Sequence, residues 1–218
     1  MNRRNLIIAG VLVVVAGVGY WAFKQHSDRN EIASLVKDTG KRLRETLAIE
    51  AGSPAAIGPE AVQKFEGHFA AAERNRAALK QVIAADKQAL VDAADDYLLT
   101  GQEILRRQAV AHRNRLLLAN STRTLQQHFR ADRGAGSWVR EAVRLRAPVE
   151  KHYSDYRGAA ETLDKLLESL PASQAKIASV VGGAPLAEAS LIADARKQSQ
   201  ETLKRATGDI EKIRNVVR

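Results

Sequence analysis

The chain opens on an uninterrupted apolar run, Asn5 to Phe23 (NLIIAGVLVVVAGVGYWAF), 19 residues without a charge. As a helix rising 1.5 Å per residue it would span about 28 Å, close to the hydrocarbon thickness of a bilayer. Arg3 and Arg4 precede it and Lys24 follows at once. Tyr20, Trp21 and Phe23 gather at its end, where aromatic rings sit at a membrane interface. The run predicts a single transmembrane anchor over 5–23, a short cytoplasmic start over 1–4, and a separate soluble domain over 24–218. A cleaved signal peptide is the rival reading, with Gly17-Val18-Gly19 as its nearest cleavage site. Its apolar core would be shorter, whereas here the run continues through Tyr20 to Phe23. The absence of cysteine excludes a lipoprotein anchor.

Arg3, Arg4 and the amino terminus favour an N-terminus held in the cytoplasm. The residues after Phe23 are also basic, but a large following domain translocates largely regardless of its charge. The alanine- and arginine-rich composition suggests a bacterial protein. The expected location is therefore the inner membrane, single-pass, with the C-terminal domain in the periplasm.

Residues 24–218 contain little punctuation. Breaks fall at 51–59 (AGSPAAIGP), 132–137 (DRGAGS) and 171–185 (PASQAKIASVVGGAP). Between them the apolar residues recur at helical spacing, and no segment alternates at period two. The predicted class is all-α: an antiparallel bundle of about four long amphipathic helices over 27–50, 59–131, 137–170 and 185–217. Gly58 and Pro59 mark a clean helix start. One heptad register joins Val62, Phe69, Arg76, Ile83, Leu90, Tyr97, Ile104, Ala111, Leu118 and Leu125, which favours a single long helix there. Thr100 to Glu103 is a capping-box pattern, and the alternative break is placed at that point. Pro148 is expected to kink the third helix and Pro171 to end it.

Net charge is +9, which draws the chain toward anions. Residues 106–151 hold eleven cations: Arg106, Arg107, Arg113, Arg115, Arg123, Arg130, Arg133, Arg140, Arg144, Arg146 and Lys151. Only Asp132, Glu141 and Glu150 oppose them, so this hairpin carries a local charge of +8. Arginine suits bidentate contact with carboxylate or phosphate, and Trp138 lies beside the turn. One reading is a solvated face that pairs with acidic residues such as Asp92, Asp95 and Asp96. The other is a docking surface for a protein partner, a second copy, anionic lipid or a cell-wall polymer. Nucleic acid is disfavoured, because the aromatics are not interleaved with the cations as a stacking platform requires.

Reaction chemistry is absent from the pattern. The five histidines, His26, His68, His112, His128 and His152, include no pair four apart with a glutamate between. Gly134–Ser137 lacks the strand and the Gly-Lys-Ser/Thr ending of a phosphate loop, and Gly182–Pro185 is a turn. Asp92, Asp95, Asp96 and Glu103 are the one carboxylate group that could hold a cation, and a role as helix-start acids or arginine partners is simpler. No cofactor, metal or catalytic residue is expected. The residues point to a non-enzymatic, membrane-anchored scaffold of the envelope. Two alternatives are a periplasmic sensor bundle signalling through a partner and a cytoplasm-facing tether on anionic lipid.

Overall fold

A computed structural model describes residues 3–52, 58–82, 88–130, 137–182 and 186–216, and only the backbone at 3–26, 179–181 and 216. These residues form five α-helices: α1 Arg3–Ala51, α2 Pro59–Leu79, α3 Gln88–Arg130, α4 Trp138–Val181 and α5 Ala189–Val216. The apolar stretch 5–23 and its membrane assignment lie outside the residues whose side chains are described. Among the described residues no helix is long and apolar enough to cross a membrane.

Side-chain contacts fix the directions. Asn75 donates to Asp38 and His112 meets Glu50, so α2 runs against α1 while α3 runs with it. Thr100 meets Ser173 and His152 meets Ser121, so α4 runs against α3. Arg196 pairs with Asp164 and Arg214 with Glu150, so α5 runs against α4. The result is an up-down-up-down-up bundle in which α1, α3 and α5 are mutually parallel.

The helices have unequal lengths, and this divides the body into two tiers. In the first, all five helices bury a common core with Ile32, Val36, Leu43, Leu47, Tyr97, Leu98, Leu163 and Leu167 at its centre. In the second, α1 and α2 have ended and only α3, α4 and α5 continue. Leu118, Leu125, Val149, Tyr153, Ile210 and Ile213 fill that smaller core.

Three expectations are corrected. Residues 59–131 form two helices, not one, and the chain turns back between Leu79 and Gln88. The end of α2 tightens through Gln81 N–H to the Ala78 carbonyl and Val82 N–H to the Leu79 carbonyl. The local sequence favours helix, but a single rod would leave one side of the α2 seam in water. Folding back buries Val62, Phe65, Ala72 and Leu79, and pairs Arg76 with Asp95 and Arg113 with Glu66.

Thr100 to Glu103 is not a helix start. The Thr100 hydroxyl donates to the Asp96 carbonyl at 2.8 Å, inside α3. Gly101 is buried there because α1 crosses directly over it. A Cβ at 101 would lie 2.9 Å from Thr39 Cγ2 and 3.2 Å from Leu43 Cδ1.

Pro171 does not end α4, which runs through both Pro148 and Pro171 to Val181. A mid-helix proline costs about 3 kcal/mol. The turns beyond it offset this by burying Ile177 and Gln174, since a buried isoleucine alone stabilises by about 1.5–3 kcal/mol. The Gln174 amide also accepts from Ala187 N–H at 2.6 Å and donates to the Ala187 carbonyl at 3.2 Å. Gly182, at φ +87°, then closes the helix in the left-handed conformation that favours glycine.

The close approach at Gly101 makes a counter-intuitive substitution informative. Ala is the better helix former by about 1 kcal/mol, yet Gly101→Ala is expected to destabilise by about 1–3 kcal/mol through overpacking. Adding Thr39→Ser removes the opposing methyl and keeps the hydroxyl that Asn75 donates to. Urea denaturation of the two variants should show most of the loss recovered in the pair.

Candidate partner-binding surface

The three-helix extension is built mainly from the arginine-rich hairpin, and its tip is closed by a reciprocal latch. Trp138 Nε1–H donates to the His128 carbonyl at 3.2 Å, and His128 Nε2 donates to the Trp138 carbonyl at 2.9 Å. Their rings stack with centroids 5.1 Å apart, and Phe129 tilts against Trp138. Trp138 is thus half-buried and ties the first turn of α4 to the last turn of α3.

The cations of the hairpin do not form one continuous patch. Arg106 and Arg107 both face Glu103, at 3.0 and 3.9 Å. Arg113 reaches across to Glu66 on α2. Arg144 pairs with Glu141 one turn back, at 2.6 Å. Arg146 shares Glu150 with Arg214 of α5. Arg115 turns inward between α3 and α5. Arg133 lies outside the described residues. Arg123, Arg130, Arg140 and Lys151 are exposed and have no carboxylate partner among the described residues.

Asp92, Asp95 and Asp96 do not serve the hairpin. Asp95 is held by Arg76 at 2.7 Å and Asp96 by Lys176 at 3.1 Å, while Asp92 accepts from Gln88. With Glu103 taken by Arg106, three of these four carboxylates, Asp95, Asp96 and Glu103, are already paired with protein cations. No group of three or more His, Asp or Glu among the described residues is arranged to hold a metal ion.

Two large apolar side chains sit out in solvent beside Arg140 and Arg144. Val139 is 64% exposed and Val143 57%. An apolar pair beside Arg140, which has no carboxylate partner among the described residues, is the composition of a contact surface more than of a solvated face.

On the other side of the extension an open groove of about 530 Å³ lies between α3 and α5. Leu118, Ala119, Ala206 and Ile210 line it with Arg115, Arg123 and Arg205. Sequence reasoning found Arg115 and Arg123 but missed Arg205. That residue belongs to α5, outside the 106–151 hairpin in which the excess of cations is concentrated.

Beneath the groove, at the last turn of α1, lies a buried pair. His112 Nε2–H donates to Glu50 at 2.5 Å, and both side chains are under 10% exposed. The Phe65 ring stacks on the imidazole with centroids 4.7 Å apart. A cavity of about 10 Å³ adjoins the pair and shares Arg115 and Thr202 with the groove above. His112 Nδ1 is buried without a hydrogen-bond partner among the described residues.

Two outcomes check these assignments. Glu50→Leu strands the His112 N–H in the core, which should cost about 1–3 kcal/mol. Glu50→Leu with His112→Phe removes both polar groups, and its melting temperature should return most of the way. The second concerns Glu150. Hydrogen bonding from Arg214, opposed by burial and aided by Arg146, holds its carboxyl below the usual range. The contribution of this clasp is therefore complete above the ordinary glutamate range and is lost as pH falls through the lower native value. Between pH 5 and pH 3 the melting temperature should fall less in Glu150→Gln than in the parent chain.

No family model, curated protein or solved structure matches this chain, so its functional reading rests on the arrangement of its own residues.

Proposed function

We propose that the chain is a membrane-tethered, non-catalytic scaffold that holds a protein partner at the far end of its helical bundle. The tether is the apolar stretch 5–23, the membrane is the inner membrane of a bacterium, and the bundle stands in the periplasm. The observation that carries this reading is the position of the unpaired cations. Arg130 and Arg140 flank the α3–α4 turn with Val139 and Val143, at the pole opposite the N-terminal end of the bundle.

The distances support a partner away from the tethering membrane. From Phe23 to the Gly101 crossing, α1 advances about 27 Å. From Gly101 to Arg130, α3 advances about 43 Å more. The tip would stand roughly 70 Å from the end of the apolar stretch, several Debye lengths beyond the reach of anionic headgroups. That separation counts against the hairpin lying on the membrane that holds the anchor. It suits contact with another envelope protein.

Topology is the first test. The chain has no cysteine, so Ser137→Cys places a single thiol at the exposed tip. A maleimide that passes the outer but not the inner membrane should label it in intact cells. Labelling only after lysis would overturn the periplasmic placement. Reversing Arg130 and Arg140 to glutamate should then reduce the partner recovered with the purified chain at least fivefold, and raised salt should mimic the effect.

A further inference from the structure

The groove between α3 and α5 has the form of a helix position left open. In the five-helix tier α1 packs against both α3 and α5. Its residues Thr39 and Leu43 sit on Gly101 of α3, and Arg44 donates to the Leu186 carbonyl just before α5. At Glu50 it still meets His112. At Ala51 it ends, while the two helices beside it continue for several more turns.

The groove opens at that level. It shares Arg115 and Thr202 with the small cavity at the end of α1, and extends along α3 to Gln126 and along α5 to Ile210. From Arg115 to Gln126 the rise is about 16 Å, or three helical turns. The floor is apolar at Leu118 and Ile210, which are buried, and the walls carry Ala119 and Ala206. Small residues at those places let a helix backbone come close.

The charge of the walls selects the occupant. Arg123 on α3 and Arg205 on α5 stand on opposite walls, and the one acid lining the groove, Asp209, is already held by Lys212 at 3.1 Å. Arg123 has no ion-pair partner among the described residues, and Arg205 reaches Glu201 only at 3.9 Å. A helix entering here meets an apolar floor between basic rims. Its complement is an apolar stripe at i, i+4, i+7 and i+11 with carboxylates on both flanks.

We infer that the groove formed by Arg115, Leu118, Arg123, Arg205 and Ile210 is a docking slot for an acidic amphipathic helix of a partner protein, which would continue the line of α1. The inference rests on the scaffold reading and adds a second contact to it, separate from the tip. The open side of the groove favours a helix over a small amphiphile, which is normally enclosed over most of its surface.

The test uses the full chain in lipid nanodiscs and a labelled 14-residue synthetic helix with leucines at the stripe positions and glutamates on the flanks. Fluorescence anisotropy should show saturable binding, and the same peptide with lysine for glutamate should not bind. Ala119→Trp, at an exposed position on the groove wall, fills the slot without touching the core and should weaken binding at least tenfold. Arg123→Glu with Arg205→Glu should do the same, while Arg130→Glu with Arg140→Glu should leave binding intact. Absence of binding overturns the inference, as does binding that survives Ala119→Trp. Loss of binding through the tip variants alone overturns the slot and leaves the scaffold reading standing. Groove-dependent stabilisation by dodecanoate, with no peptide binding, would make the groove a small-amphiphile site and overturn the helix assignment.

Discussion

The bundle is registered on the crossing of α1 over Gly101. With no Cβ there, the Thr39 methyl and the Leu43 side chain sit against the α3 backbone. Because the contact tolerates no added carbon, it sets the height of α1 against α3 as well as their separation. The partners of α1 follow from that height. Asn75 reaches Asp38 and Thr39, Arg44 reaches Leu186, and Glu50 arrives opposite His112. Shifting α1 by one turn would separate all of them together and leave several buried polar groups without partners.

Polar contacts therefore specify the arrangement more than they stabilise it. The interior is poor in aromatic residues and rich in alanine, and such surfaces slide past one another at little cost. Gln174 bonded twice to Ala187, and His112 held by Glu50, make one alignment much better than its neighbours. A buried pair of this kind adds little net stability against an apolar substitute, and its better-attested role is register.

Much of the architecture is legible in the sequence, because helical periodicity survives without any knowledge of the partner. The all-α class, the start at Pro59, and the apolar stripe Val149, Tyr153, Tyr156, Ala160, Leu163, Leu167 all read directly. The turn between α2 and α3 does not. Residues 80–82 contain no glycine or proline, and the heptad register happens to persist from Arg76 through Ile83 to Leu90, so periodicity is blind to the reversal. Pro171 misleads for the opposite reason: a strong local stop signal is outweighed by burial of Ile177 and Gln174, which only the fold can provide. At the surface, charge counting located the basic hairpin but not its division. Which arginines pair with Glu66, Glu141 or Glu150 and which stay unpaired depends on helix rotation. Arg205 joins the groove from a helix nearly a hundred residues away from Arg115.

The odd number of helices has a mechanical consequence. With α1 entering at one pole and the α3–α4 turn at the other, a pull between the two ends acts along the helix axes. The load falls on the α1–α3 interface in shear. The methyl of Thr39, the Leu43 side chain and the Glu50–His112 pair are then strained together, whereas a pull on a hairpin's two ends would open such contacts one after another. A rod loaded this way yields little until it yields at once, which suits a strut more than a spring.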